Sequence, residues 1–124
     1  MILIDSSVWI DHLRRAEPTL VAVLEAGLAM IHPFVIGELA CGQWHNRDRV
    51  LGALADLPVA PVATHDEALV FLARHALAGR GIGWVDVHLL ASTALAGGAK
   101  LWTRDKRLAG AATNLGLAYS RTEH

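Results

Sequence analysis

The sequence predicts an α/β protein, a three-layer α/β/α sandwich with a short, mainly parallel central sheet. Two observations lead there. Five short apolar runs, MILI (1–4), AMIHP (29–33), PVAPV (58–62), KLWT (100–103) and GLAYS (116–120), alternate with helix-length patterns, as expected of a parallel sheet covered on both faces. At 124 residues the chain has room for one core of ordinary extent, so residues 1–124 read as a single domain.

The elements follow in order. After MILI, Ser6 or Ser7 is expected to cap a first helix running through about Arg15. Pro18 suits the first turn of a second helix, and Gly27 helps to end it. A third helix is expected from Pro33 through Cys41 and a fourth from Arg47 to Ala55, ahead of Pro58, which opens the middle strand. Thr64 caps the segment HDEALVFLARHALAG, where Leu69, Leu72, Ala73 and Ala76 are expected to form the buried stripe. Beyond Gly79, Gly81 and Gly83, the near-continuous hydrophobicity of WVDVHLLASTALAGG implies a helix buried on most sides, and KRLAGAAT forms the last helix.

A formal charge of −1 shows no global basic signature, so contact with nucleic acid would have to come from local clusters. The apolar content of 53% is rich for so small a chain, which suggests that another chain covers part of the surface. The single Cys41 excludes an intrachain disulfide and a cysteine-based zinc site, and its apolar neighbours suggest a buried thiol in a reducing compartment. The start lacks the basic segment of a signal peptide, and no apolar stretch reaches membrane-spanning length; the expected location is cytoplasmic.

Four acidic residues interrupt this apolar pattern: Asp5 after MILI, Glu38 in PFVIGELACG, Asp86 in GIGWVDVHLLA, and Asp105 after KLWTR. Asp5 and Asp105 each have a plain explanation as helix N-caps, yet both lie just past the carboxyl ends of expected strands, where α/β folds place ligands. Glu38 stands among Phe34, Val35 and Leu39, and is expected on an apolar face, where an unpaired carboxylate costs several kcal/mol or becomes protonated. An arginine partner or a metal ion would relieve it. Asp86 shares a face with Leu89, Leu90 and Thr93, although a first-turn Asp is also favoured by the helix dipole. Taken together, clustered carboxylates call for a cation, and oxygen donors favour Mg²⁺ or Mn²⁺. No His-x-x-x-His pair competes, and His88 lies on a different helical face from Asp86, so it is expected to pack or to hydrogen-bond.

The segments MILIDSSVWIDHLR, PFVIGELACG, GIGWVDVHLLASTAL and LWTRDKRLAGAA, in this order and spacing, resemble the PIN-domain ribonucleases, and within them the VapC-like toxins of toxin–antitoxin pairs. The resemblance spans nearly the whole chain. It implies that Asp5, Glu38, Asp86 and Asp105 form the family's acidic quartet, with Thr103 as the hydroxyl residue near it. It further implies an endoribonuclease using Mg²⁺ or Mn²⁺, neutralised by a VapB-like antitoxin, usually dimeric, with particular transfer RNAs or ribosomal RNA loops among the family's targets. On this reading water is the nucleophile and the products carry a 5′-phosphate and a 3′-hydroxyl.

Arg80, Arg104, Lys106 and Arg107 flank the acidic positions and could receive the RNA backbone, or could be ordinary solvated surface. The four tryptophans lie in apolar segments and are expected in the core or an interface, while Asp11 is expected to pair with Arg14 or Arg15. Three other functions compete. A phosphoacceptor receiver domain would need an acceptor Asp at the end of LPVAPVA, which has none. A catalytically silent RNA- or antitoxin-binding module would not need an intact acidic set, and a metal-dependent phosphatase would use the same carboxylates.

Overall fold

A computed structural model describes residues 1–120. Strand β1 is Ile2–Ile4, followed by helices α1 (Ser6–Arg14) and α2 (Pro18–Glu25), strand β2 (Ala29–Met30), and helices α3 (Pro33–Ala40), α4 (Arg47–Ala55), α5 (His65–Arg74) and α6 (Trp84–Leu95). Strand β3 (Lys100–Trp102) and helix α7 (Lys106–Asn114) complete the order. The sheet runs β2-β1-β3 with both pairings parallel, Ile2 lying opposite Ala29 and Lys100. This is the expected three-layer α/β/α arrangement. All three residues of β1 are buried, as a central strand covered on both faces requires.

Two expected strands are reduced to single bridges, Ile31 with Val59 and Leu101 with Ala118, both parallel. In the first, Pro58 and Pro61 cannot donate to a ladder, which keeps PVAPV from pairing along its length. The helix starts follow the expected punctuation, with one correction: Asp5, not Ser6 or Ser7, caps α1, its Oδ1 accepting from Ser6 N at 2.8 Å. Pro18 and Pro33 open α2 and α3, and Thr64 and Glu67 form a reciprocal capping box on α5.

The core is one cluster in which Leu3, Ile4, Leu20, Ile31, Leu39, Leu89, Leu90, Leu101 and Leu108 are fully buried, each stabilising the fold by roughly 1.5–3 kcal/mol. Helix α6 is buried continuously from Val87 through Thr93, as its hydrophobicity predicts. On α5 the expected stripe is displaced: Ala68 is the buried residue, Phe71 and Leu72 flank it, and Leu69, Ala73 and Ala76 face outward. Cys41 is also a correction, being exposed where it caps the end of α3. Among the described residues no helix is long and apolar enough to cross a membrane.

Candidate active site

The carboxyl ends of the adjacent parallel strands β1 and β3 deliver the first part of the site. Asp5 N donates to Trp102 O at 2.9 Å, so the residues that follow the two strands leave side by side. Asp5 is 6% exposed, and its Oδ2 accepts from Ser7 Oγ at 2.8 Å and from Thr103 Oγ1 at 2.7 Å. Ser7, expected only as a cap candidate, joins this group. Its hydroxyl also lies 3.3 Å from Thr103 Oγ1 and accepts from Arg104 N at 3.0 Å. Two hydroxyls directly after a strand-end aspartate were the available signal.

Asp86 and Asp105 are placed by helix starts. Asp86 Oδ2 accepts from Gly83 N at 3.1 Å at the head of α6, and Asp105 Oδ1 accepts from Arg107 N and Leu108 N at 3.0 and 2.9 Å as the cap of α7. The plain explanations therefore hold, as helix caps for Asp5 and Asp105 and as a first-turn acid for Asp86. They do not compete with a site, because three helix N-termini now carry their aspartates toward one region, where the positive dipole ends favour anions.

Glu38 departs from expectation. It is exposed, beside buried Val35 and Leu39, and is not sealed on an apolar face. Its carboxyl is nonetheless raised, by partial burial first and then by the Asp5 charge with a contribution from Asp86, while the Ser6 side chain opposes the shift. Asp86 is raised in the same way, by burial and by the charges of Asp5 and Asp105, against the lowering effect of Gly83 N–H. Asp5, Glu38 and Asp86 thus stand within electrostatic reach of one another, and Asp105 within reach of Asp86, although the four come from separate segments.

Among the described residues no group of three or more His, Cys, Asp or Glu side chains converges tightly enough to hold an ion by itself. The donor set still fits a hard divalent cation. It consists of oxygen donors that repel one another, and Mg²⁺ is commonly held through one or two carboxylates with waters completing the shell. His88 packs, as expected: it is buried, with its ring against Phe34 at 4.9 Å and Trp84 at 4.8 Å.

The basic residues divide. Arg104 is already engaged, its guanidinium reaching Asp11 at 2.9 Å and Glu17 at 2.6 Å, so Asp11 pairs across the chain and not with Arg14 or Arg15. Arg107 lies over the loop that leads into α6. A Cβ at Gly81, whose φ is +78°, would come within 2.6 Å of Arg107 Cδ. That contact brings Arg107 beside the segment that carries Arg80, and both Arg80 and Lys106 are exposed. Of the tryptophans, Trp9 is in the core, Trp44 and Trp102 are half-buried, and Trp84 lies at the surface with its ring near His65.

Residues 2–114 match the PIN domain family. The chain is also 55% identical over 118 residues to Ribonuclease VapC32 of Mycobacterium tuberculosis, in strains CDC 1551 / Oshkosh and ATCC 25618 / H37Rv, with 95% of each chain covered.

Proposed function

The chain belongs to the PIN-domain family, and from that premise we propose that it is the ribonuclease toxin of a toxin–antitoxin pair, hydrolysing RNA phosphodiester bonds with water as the nucleophile. The observation that carries this reading is the gathering of Asp5, Glu38, Asp86 and Asp105 from four segments, with Glu38 and Asp86 raised first by burial and then by neighbouring acidic charges, both of which a bound cation offsets. Asp5, Asp86 and Asp105 would hold Mg²⁺ or Mn²⁺, directly or through water, with Glu38 completing the set. When bound, the cation supplies Lewis-acid stabilisation of the charge that builds on the phosphate and activates water.

The protein's own groups do the rest. Thr103 and Ser7 fix the Asp5 carboxylate by donating to Oδ2, which leaves that side chain one orientation in which to serve. Glu38, open to solvent and raised, is placed to take the proton of the attacking water on its carboxylate oxygen. The water oxygen forms the new bond to phosphorus, the bond to the 3′-oxygen breaks, and that oxygen takes a proton from solvent. The products carry a 5′-phosphate and a 3′-hydroxyl. We place the reaction in the cytoplasm, with a transfer RNA or a ribosomal RNA loop as substrate. A VapB-like antitoxin is the inhibitor, and the toxin acts as a homodimer.

The test is incubation of the purified chain, freed of antitoxin, with total cellular RNA plus Mg²⁺ or Mn²⁺, beside Asp5→Asn and EDTA controls, with sequencing of fragment ends. Discrete, cation-dependent cuts lost in the variant are expected. Fragments ending in 2′,3′-cyclic phosphate would overturn the water mechanism, and uncut RNA would overturn the ribonuclease reading.

A further inference from the structure

Beside the carboxylates lies a polar cavity of about 400 Å³, between the end of α1, the start of α2 and the loop that joins β3 to α7. Arg14, Arg15 and Arg104 line it together with Asp11 and Glu17. Both acids are bound to Arg104, which pins that guanidinium in the wall. Arg14 and Arg15 are exposed and, among the described residues, form no ion pair. Three guanidiniums against two carboxylates leave the cavity with a net positive charge, next to a site that is strongly negative.

The cavity and the acidic site are joined by a short chain of hydrogen bonds. Arg104 N donates to Ser7 Oγ at 3.0 Å, and Ser7 Oγ donates to Asp5 Oδ2 at 2.8 Å. We propose that this cavity binds a backbone phosphate of the RNA strand neighbouring the one under cleavage, with Arg14 and Arg15 as its ligands and Arg104 as a fixed wall. The proposal rests on the ribonuclease reading. A polyanion approaching four carboxylates is repelled at the cut, so the attraction that holds it must come from cations alongside, and counterion release on phosphate pairing supplies it. An alternative duty for Arg14, balancing the dipole at the end of α1, concerns stability alone and leaves RNA affinity unchanged.

The experiment measures binding of a fluorescein-labelled oligouridine by anisotropy over a range of KCl, in an Asp86→Asn background, with EDTA present, to suppress turnover. The variants are Arg14→Gln/Arg15→Gln, the charge-keeping Arg14→Lys/Arg15→Lys, and Arg74→Gln on α5 as a control away from the cavity. Loss of the contact to one phosphate on a single strand should flatten the slope of log affinity against log salt by about 0.7, with the lysine pair restoring it and Arg74→Gln leaving it alone. An unchanged slope overturns the proposal and assigns the arginines to acidic side chains of a protein partner. A loss that the lysine pair does not restore also overturns it, by tracing the effect to the fold at the helix end. Cleavage of cellular RNA by the wild-type chain is scored separately. Cuts with an unchanged slope sink the cavity alone, whereas RNA left whole sinks the ribonuclease reading and the cavity with it.

Discussion

Thr103 donates from Oγ1 to Asp5 Oδ2 across 2.7 Å, joining two residues 98 positions apart. With Asp5 N bonded to Trp102 O, the ends of β1 and β3 are tied once through the backbone and once through side chains. The acidic site therefore depends on a threonine that itself carries no charge.

Replacing that hydroxyl tests the dependence. Thr103→Val keeps the shape but removes a donor from a buried carboxylate, and should cost about 1 kcal/mol of stability together with a fall in kcat. Thr103→Ser should recover both. Thermal unfolding and cleavage rates measure the pair; a Val variant with wild-type turnover would remove Thr103 from the site.

Asp86→Asn should separate stability from activity. Because its folded carboxyl is raised, by burial and then by Asp5 and Asp105, its favourable contribution is present below the unfolded pKa and lost as pH rises past the folded value. At neutral pH the metal-free variant should melt above wild type, since Asn still accepts from Gly83 N, while cleavage falls on the order of 100-fold or more. A lower melting temperature with intact cleavage is the contrary result.

His32 gives the stability curve an opposite slope. It is fully buried, and burial first and the His88 charge second lower its pKa from 6.5 to about 4. Its Nδ1 accepts from Phe34 N at 3.0 Å, which requires the neutral ring. The contribution is complete above 6.5 and is lost as pH falls toward 4, up to about 3 kcal/mol. Urea midpoints across that window should drop with acid in wild type and stay flatter in His32→Asn, whose side chain still accepts but does not titrate; parallel curves would refute the assignment.

Cation binding should compete with protons. Glu38 and Asp86, both raised, keep their protons to higher pH than ordinary carboxylates do, so the thermal stabilisation conferred by MgCl₂ should be larger at alkaline than at acidic pH, and calorimetry in buffers of different ionisation heat should detect proton release. Equal stabilisation at both ends of the range would place the ion elsewhere.

Much of this was legible in the sequence because it is local. Prolines at helix starts, the Thr64 cap and the span Arg47–Ala55 depend on neighbours within a turn, and they appear where expected. The acidic positions were legible as strand-end and first-turn residues. What the chain did not disclose depends on partners far along it. The face of α5 turned toward Ala68 because packing against α6 selected it. Asp11 chose Arg104 over its helical neighbours, and Glu38 stayed open to solvent although its sequence neighbours are buried. Ser7 has several bonds within the site, a role visible only once β3 lies alongside β1.

The order of the sheet also sets a clock. Its central strand is the first element made, and the neighbour that completes the site is nearly the last. During synthesis, at about 5–20 residues per second, Asp5 waits on the order of 5 to 20 s for Thr103 and Asp105 to emerge. No amino-terminal fragment that stops before Asp105 contains the full acidic set. A chain built this way completes its acidic site late, and a product truncated before Asp105 lacks part of it.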